Sequence, residues 1–177
     1  TFLGFRGGAR AVRPGVEVLQ AYLGNFEDVA AAKENALAQI GRGADVLLHN
    51  ADAASFGIFQ AARESPGVFA LGANKDQNAV APDVIVASAT LDVPHALLMV
   101  ARRVKDGVWH PGVMFLGIKD GIVDLVINPR LESRVEKTSG PVLLRPDNFV
   151  PLARTPCGGV AIGRRYKGDL VPGSRDR

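Results

Sequence analysis

The chain has 177 residues, 47% of them apolar and 22% charged, which suits one folded domain with its own core and at most a second small piece. Its net charge of +3 is uneven, because residues 1–129 carry 11 Lys and Arg against 13 Asp and Glu, while residues 130–177 carry 10 against 5. That basic tail offers only Phe149 and Tyr166 as aromatics, so nucleic-acid binding is not expected. The single cysteine, Cys157, excludes an internal disulfide, and His49, His95 and His110 lack ligand-like spacing, so neither a metal nor a cofactor is expected.

In chain order, Phe2, Phe5, Ala9 and Val12 recur at helical spacing, and Pro14-Gly15 ends a helix over 2–13. Val16 to Leu23 reads as a strand and Gly24 to Asp28 as a turn, with Asp28 as N-cap. Val29, Ala32, Ala36, Leu37 and Ile40 then mark a helix closed by Gly41 or Gly43. The apolar run Asp45 to His49 has the character of a buried parallel strand, and a small-residue loop, Asn50 to Ser55, follows it. A helix from Phe56 to Glu64 stops at Pro66-Gly67, Val68 to Ala73 is a strand, and Asn74 to Asn78 is polar loop.

Val84 to Ser88 is the next strand. Asp92 caps a helix to Lys105, with Pro94 in the tolerated first turn and Ala96, Leu97, Val100, Ala101 and Val104 as its apolar face. Gly112 to Ile118 reads as a last strand, followed by the turn Lys119-Asp120-Gly121 and an apolar stretch, Ile122 to Ile127. Beyond Pro129 the periodicity fades, and frequent Pro and Gly make 138–177 read as irregular. No apolar run approaches the roughly 18 residues that a membrane span needs. The opening Thr1-Phe2-Leu3-Gly4 lacks the pattern of a signal peptide.

Strands alternating with helices through short loops specify an α/β fold with a parallel sheet. Ligands of such sheets sit beyond the carboxyl ends of the strands, and the loops 24–28, 50–55 and 74–78 all occupy that position. Phe26 stands out there as a ring either stapled to the next helix or free to stack on a planar ligand. Asn50, Asp52, Asn74 and Asp76 are short polar groups at strand ends, fit either for turns or for contacts in a shared cleft. No nucleophile elbow, dinucleotide fingerprint or phosphate loop is present, so a catalytic role is not expected.

The ordered runs Tyr22-Leu-Gly-Asn-Phe-Glu-Asp28, Gly43-Ala-Asp-Val46, Gly57-Ile-Phe-Gln-Ala-Ala62, Gly72-Ala-Asn-Lys-Asp-Gln77, Val104-Lys-Asp-Gly107 and Leu116-Gly-Ile-Lys-Asp-Gly121 resemble successive blocks of the basic-membrane-protein family. These are solute-binding proteins of ABC importers that include purine-nucleoside receptors. The resemblance covers about residues 2–128. It implies the C-terminal lobe of a type I periplasmic-binding-protein fold over 1–91. Residues 92–128 would form a crossover helix, strand and hinge belonging to an N-terminal lobe otherwise outside this chain, and 129–177 a divergent tail.

The resemblance further implies that Phe26 stacks on a purine, that Asn50, Ala51 and Asp52 line the pocket, and that Asn74 and Asp76 bind ribose hydroxyls. Lys119 and Asp120 are assigned to a hinge or secondary role. Two positions depart from the family pattern: Asn74 stands for an aspartate, and Leu91 for a lysine expected near there. The implied function is non-catalytic capture of a nucleoside-like ligand for an ABC permease and ATPase. The implied location is the periplasm or the outer face of the plasma membrane, with a lipoprotein anchor or signal outside this chain. The alternatives are a ligand-sensing domain of a regulator with the same fold, and an α/β enzyme of unknown chemistry.

Overall fold

Val18–Tyr22 forms strand β1, and Asp28 then caps helix α2 (Val29–Gly41) by accepting the Ala31 N–H at 2.9 Å. Helix α1 (Phe2–Val12) precedes them, and the chain returns from α2 into β2 (Ala44–Leu48). Gly43, at φ +95°, makes the tight turn between the two. A short 3-10 turn, Asp52–Ala54, leads into α3 (Ser55–Glu64), then β3 (Phe69–Asn74) and β4 (Ile85–Leu91). Asp92 caps α4 (Val93–Lys105) through the His95 N–H, a second 3-10 turn covers Ile118–Asp120, and β5 spans Val123–Ile127. A last strand, β6, spans Gly159–Arg164. The computed structural model describes residues 2–135 and 159–164.

The strands form one sheet in the order β1-β6-β2-β3-β4-β5. β2, β3 and β4 pair in parallel, and β6 is antiparallel to both β1 and β2, so β1 to β4 all run in one direction. β5 adds to β4 antiparallel, with Leu91 opposite Val123. The expected α/β class therefore holds, with a mixed rather than purely parallel sheet. Strands that run the same way need crossover returns, which puts the loops leaving β1 to β4 at the same edge. Helices α2 and α3 make the returns after β1 and β2, and a helix-free loop makes the one from β3 to β4.

Close packing of α2 on α3 holds these returns in place. Ala32 and Ala36 on one helix, and Ile58, Ala61 and Ala62 on the other, are all buried, and Leu47, Ile58 and Ile85 are among the largest fully buried side chains. Burying each such branched side chain is worth about 1.5–3 kcal/mol. The helices approach closely enough that a Cβ at Gly57 would meet the Val29 carbonyl oxygen and lie 2.8 Å from the Lys33 nitrogen.

Three expectations need correction. Residues 112–118 form no strand; Val113 and Phe115 there are 83% and 72% exposed, so this apolar run finds no sheet edge among the described residues. The strand is instead the following run, 123–127, whose backbone pairs along the length of β4. The tail is not irregular throughout, because 159–164 is a strand between β1 and β2. The remaining tail residues of that reading, 138–158 and 165–177, lie outside the described residues. β4 also runs on to Leu91, past the expected end at Ser88.

α4 forms where expected, yet none of its residues is buried. Leu97, Leu98 and Val104 of that helix are more than half exposed, so its apolar stripe lacks a covering surface among the described residues.

Gly57→Ala forces α2 and α3 apart against backbone atoms, which cannot swing aside like a side chain. Overpacking of this kind costs about 1–3 kcal/mol. Urea unfolding of the variant is expected to show that loss, and an unchanged midpoint would mean that the helices do not meet at Gly57.

Candidate functional site

The carboxyl ends of β1 to β4 share one edge, and two hydrogen-bonded links join the loops that leave it. The Phe26 carbonyl accepts the Ala54 N–H at 2.9 Å, fastening the β1–α2 loop to the β2–α3 loop. Asn25 shapes the first loop by accepting the Glu27 and Asp28 N–H groups at 3.0 and 2.8 Å. Phe26 is 38% exposed, so it is not enclosed in the core.

The second link is His49, the residue just after β2. Its Nε2 lies 3.2 Å from Gln77 Oε1, across the gap between the β2–α3 and β3–β4 loops. The Ala51 N–H points at Nδ1 at 3.4 Å, and the ring meets Phe59 edge-on at 5.2 Å between centroids. Between these loops lies an open cleft of about 160 Å³ lined by His49, Asp52, Ala73, Asn74, Lys75 and Gln77.

Two of its lining residues hold unusual backbone. Asp52 has φ +47° and Asn74 φ +68°, and they are the positive-φ residues other than glycine among those described. Asn and Asp tolerate this left-handed region better than other side chains, at a cost that is met only where surrounding structure fixes it. Asn74 ends β3 and Asp52 opens the 3-10 turn that follows β2, and both are exposed and line the cleft.

The structure thus brings Asp52 and Asn74 together, with Ala51 buried beside them and Asn50 half-buried between β2 and the turn. Phe26 adjoins through its own loop. Asp76 is exposed, but one oxygen accepts the Asn78 N–H at 2.9 Å, so half of its carboxylate serves the turn. Lys119 and Asp120 do not line the cleft. They lie at the same edge two strands on from Asn74, in the turn entering β5, where Asp120 accepts the Gly117 N–H at 2.8 Å. Leu91 ends β4 and is 46% exposed.

Lys75, Gln77 and His49 were not singled out from sequence. His49 looked like an ordinary polar residue; its signal was its place at the end of a buried run, immediately before a loop of small residues. Burial lowers its pKa from 6.5 to about 4, against smaller raising effects from the Gln77 hydrogen bond and the Asp52 charge. The imidazole is therefore neutral at physiological pH. Among the described residues no group of three or more His, Cys, Asp or Glu could hold a metal ion, and no helix is long and apolar enough to cross a membrane.

A sheet with its strand-end loops gathered along one edge, and polar residues around a shallow cleft there, is the arrangement of an α/β ligand-binding protein. Residues 1–142 match the family model described as Bmp, ABC transporter substrate-binding protein PnrA-like, and the chain belongs to that family. Basic membrane protein A2 of Borrelia garinii subsp. bavariensis is 28% identical over 148 residues, 79% of this chain and 44% of that protein. Among solved structures, an ABC transporter solute-binding protein from Aeropyrum pernix is 27% identical, with a TM-score of 0.51 over 59% of this chain and 30% of that one. A transcriptional activator of the comK gene from Bacillus halodurans is 26% identical, with a TM-score of 0.53 over 59% of this chain and 37% of that one. The chain spans less than half the length of each of these proteins.

Because the unfolded chain protonates His49 before the folded one does, stability is intact above pH 6.5 and falls as pH drops toward about 4. The loss across that window is roughly 3 kcal/mol. Urea unfolding of wild type and His49→Gln as a function of pH isolates it. The two stabilities are expected to converge, or cross, by that amount on acidification. Parallel pH dependences would contradict a buried neutral imidazole.

Proposed function

We propose that the chain supplies one wall of an interlobe cleft in a non-catalytic solute-binding protein, which hands a purine nucleoside or related compound to the permease and ATPase of an ABC importer. The observation that carries this reading is the meeting of the Phe26, Asn50–Ala54 and Asn74–Gln77 loops at one sheet edge, in a chain of this family. In it, Phe26 stacks on the base and Asn50, Ala51 and Asp52 form the pocket floor. Asn74 binds ribose hydroxyls through its amide, and Asp76 does so with the oxygen that the turn leaves over. Lys75 lines the cleft and offers an ammonium near the edge where Leu91 does not.

A cleft of about 160 Å³ is about half the smallest ordinary ligand pocket, as expected of a wall awaiting its opposite face. The opposite face would come from a second lobe beyond these 177 residues. The uncovered stripe of α4 and the exposed run 112–118 suit burial against that lobe. Of residues 92–128, the part to 118 would make the crossover, Lys119 and Asp120 would sit in the hinge turn, and 123–127 returns to this sheet as β5. Ligand bound to both walls then favours the closed form, which is how capture is signalled to a permease. Such a protein works at the periplasmic or outer face of the plasma membrane.

A second reading, a ligand-sensing domain of a regulator, is favoured by the likeness to the comK activator. It uses the same wall and differs only in what closure drives.

Titration calorimetry with adenosine, guanosine and inosine tests the proposal. The isolated chain is expected to bind weakly or not at all, and the two-lobed protein tightly. Phe26→Ala in the latter is expected to cost about 1–3 kcal/mol, the worth of one base–aromatic stack. Tight binding by the isolated chain, or indifference to Phe26→Ala, would overturn it.

A further inference from the structure

His49 is 2% exposed, so although it lines the cleft it presents almost no surface to a ligand. Its contacts run inward and are directional. A backbone N–H can only donate, so Nδ1 facing Ala51 must be the acceptor. Gln77 Oε1 already accepts the Ala73 N–H at 2.8 Å, which fixes that atom as the oxygen and requires His49 Nε2 to carry the proton. The surroundings thus select one neutral tautomer.

The same Gln77 is held from its other side. Its N–H donates to Ser88 Oγ at 3.0 Å, Ser88 donates to Asn78 Oδ1 at 2.9 Å, and Asn78 Nδ2 donates to the Val126 carbonyl at 3.0 Å. Ser88 and Asn78 are buried, and a Cβ at Gly72 would collide with Ser88 Oγ, so this chain of bonds has no slack on that side. It runs from the end of β2 through the β3–β4 loop and β4 to β5.

We propose that His49 is a positioning residue: as its Nε2–H tautomer it clasps the 50–52 loop to Gln77, fixing the spacing between Asp52 and Asn74 without touching the ligand. The proposal rests on the nucleoside-binding reading for its consequence but not for its geometry. Protonation opens the loop side of the clasp, because an Nδ1–H would face the Ala51 N–H and two donors cannot bond, while the Nε2–H bond to Gln77 remains. The charged groups around the ring are Asp52 in the 3-10 turn, whose field favours the imidazolium, and Lys75 across the cleft, while α3 contributes only the Phe59 ring.

Nitrogen-15 NMR of the imidazole in the 177-residue chain tests the geometry with no ligand present. The expected result is Nε2 protonated and Nδ1 bare at neutral pH, persisting well below pH 6.5. An Nδ1–H tautomer, or titration at the ordinary value, overturns the proposal. The consequence is tested by adenosine titration of the two-lobed protein. His49→Ala is expected to lower affinity about tenfold, and His49→Gln, whose Nε2 can replace the ring donor, to restore most of it. Equal losses in both variants, or none in either, overturn the positioning role. If the tautomer is as expected and the wild type binds no nucleoside, the functional reading fails while the clasp stands.

Discussion

Four strands running in one direction constrain everything else in this molecule. A parallel pair cannot be joined by a hairpin, so each strand must be left at the same edge by a longer connection going back: α2 after β1, α3 after β2, and a loop without a helix after β3. The chain spends its small residues on making those returns tight: Ala32, Ala36 and Gly57 let α2 and α3 close to backbone contact, and Gly43 turns α2 into β2. What is left at the opposite end of the returns is a row of loops with nowhere to go but toward each other. The Phe26–Ala54 backbone bond and the His49–Gln77 side-chain bond are the results of that crowding.

The left-handed backbones of Asp52 and Asn74 belong to the same account. Asn74 is the last residue of β3, and Asp52 opens the 3-10 turn four residues beyond the end of β2, so each turns a polar side chain outward at this edge. A glycine would adopt those angles at less cost but would leave no polar group at the edge. Keeping a side chain at two such positions makes sense where the side chain has work to do, and both line the cleft.

Much of the fold could be read from the sequence because alternation and capping are local. Asp28 and Asp92 announced α2 and α4, and the run to His49 announced β2. The misreadings were of pairing. Residues 112–118 and 123–127 are about equally apolar, and only the proximity of β4 decides which becomes a strand. The pairing of 159–164 between β1 and β2 is likewise a long-range event with no local signature. At the site, Phe26, Asp52 and Asn74 were conspicuous because loops expose them. His49 and Gln77 were not, because their significance lies in a bond between residues 28 positions apart.

Photolabelling of the two-lobed protein with 8-azidoadenosine, followed by peptide mapping, tests the central claim most directly. The azide sits on the base, so the label is expected on the peptide carrying Phe26, protected by unmodified adenosine. Label found only on peptides outside the Phe26, Asn50–Ala54 and Asn74–Gln77 loops and their opposing wall, with the same protection, would contradict the account.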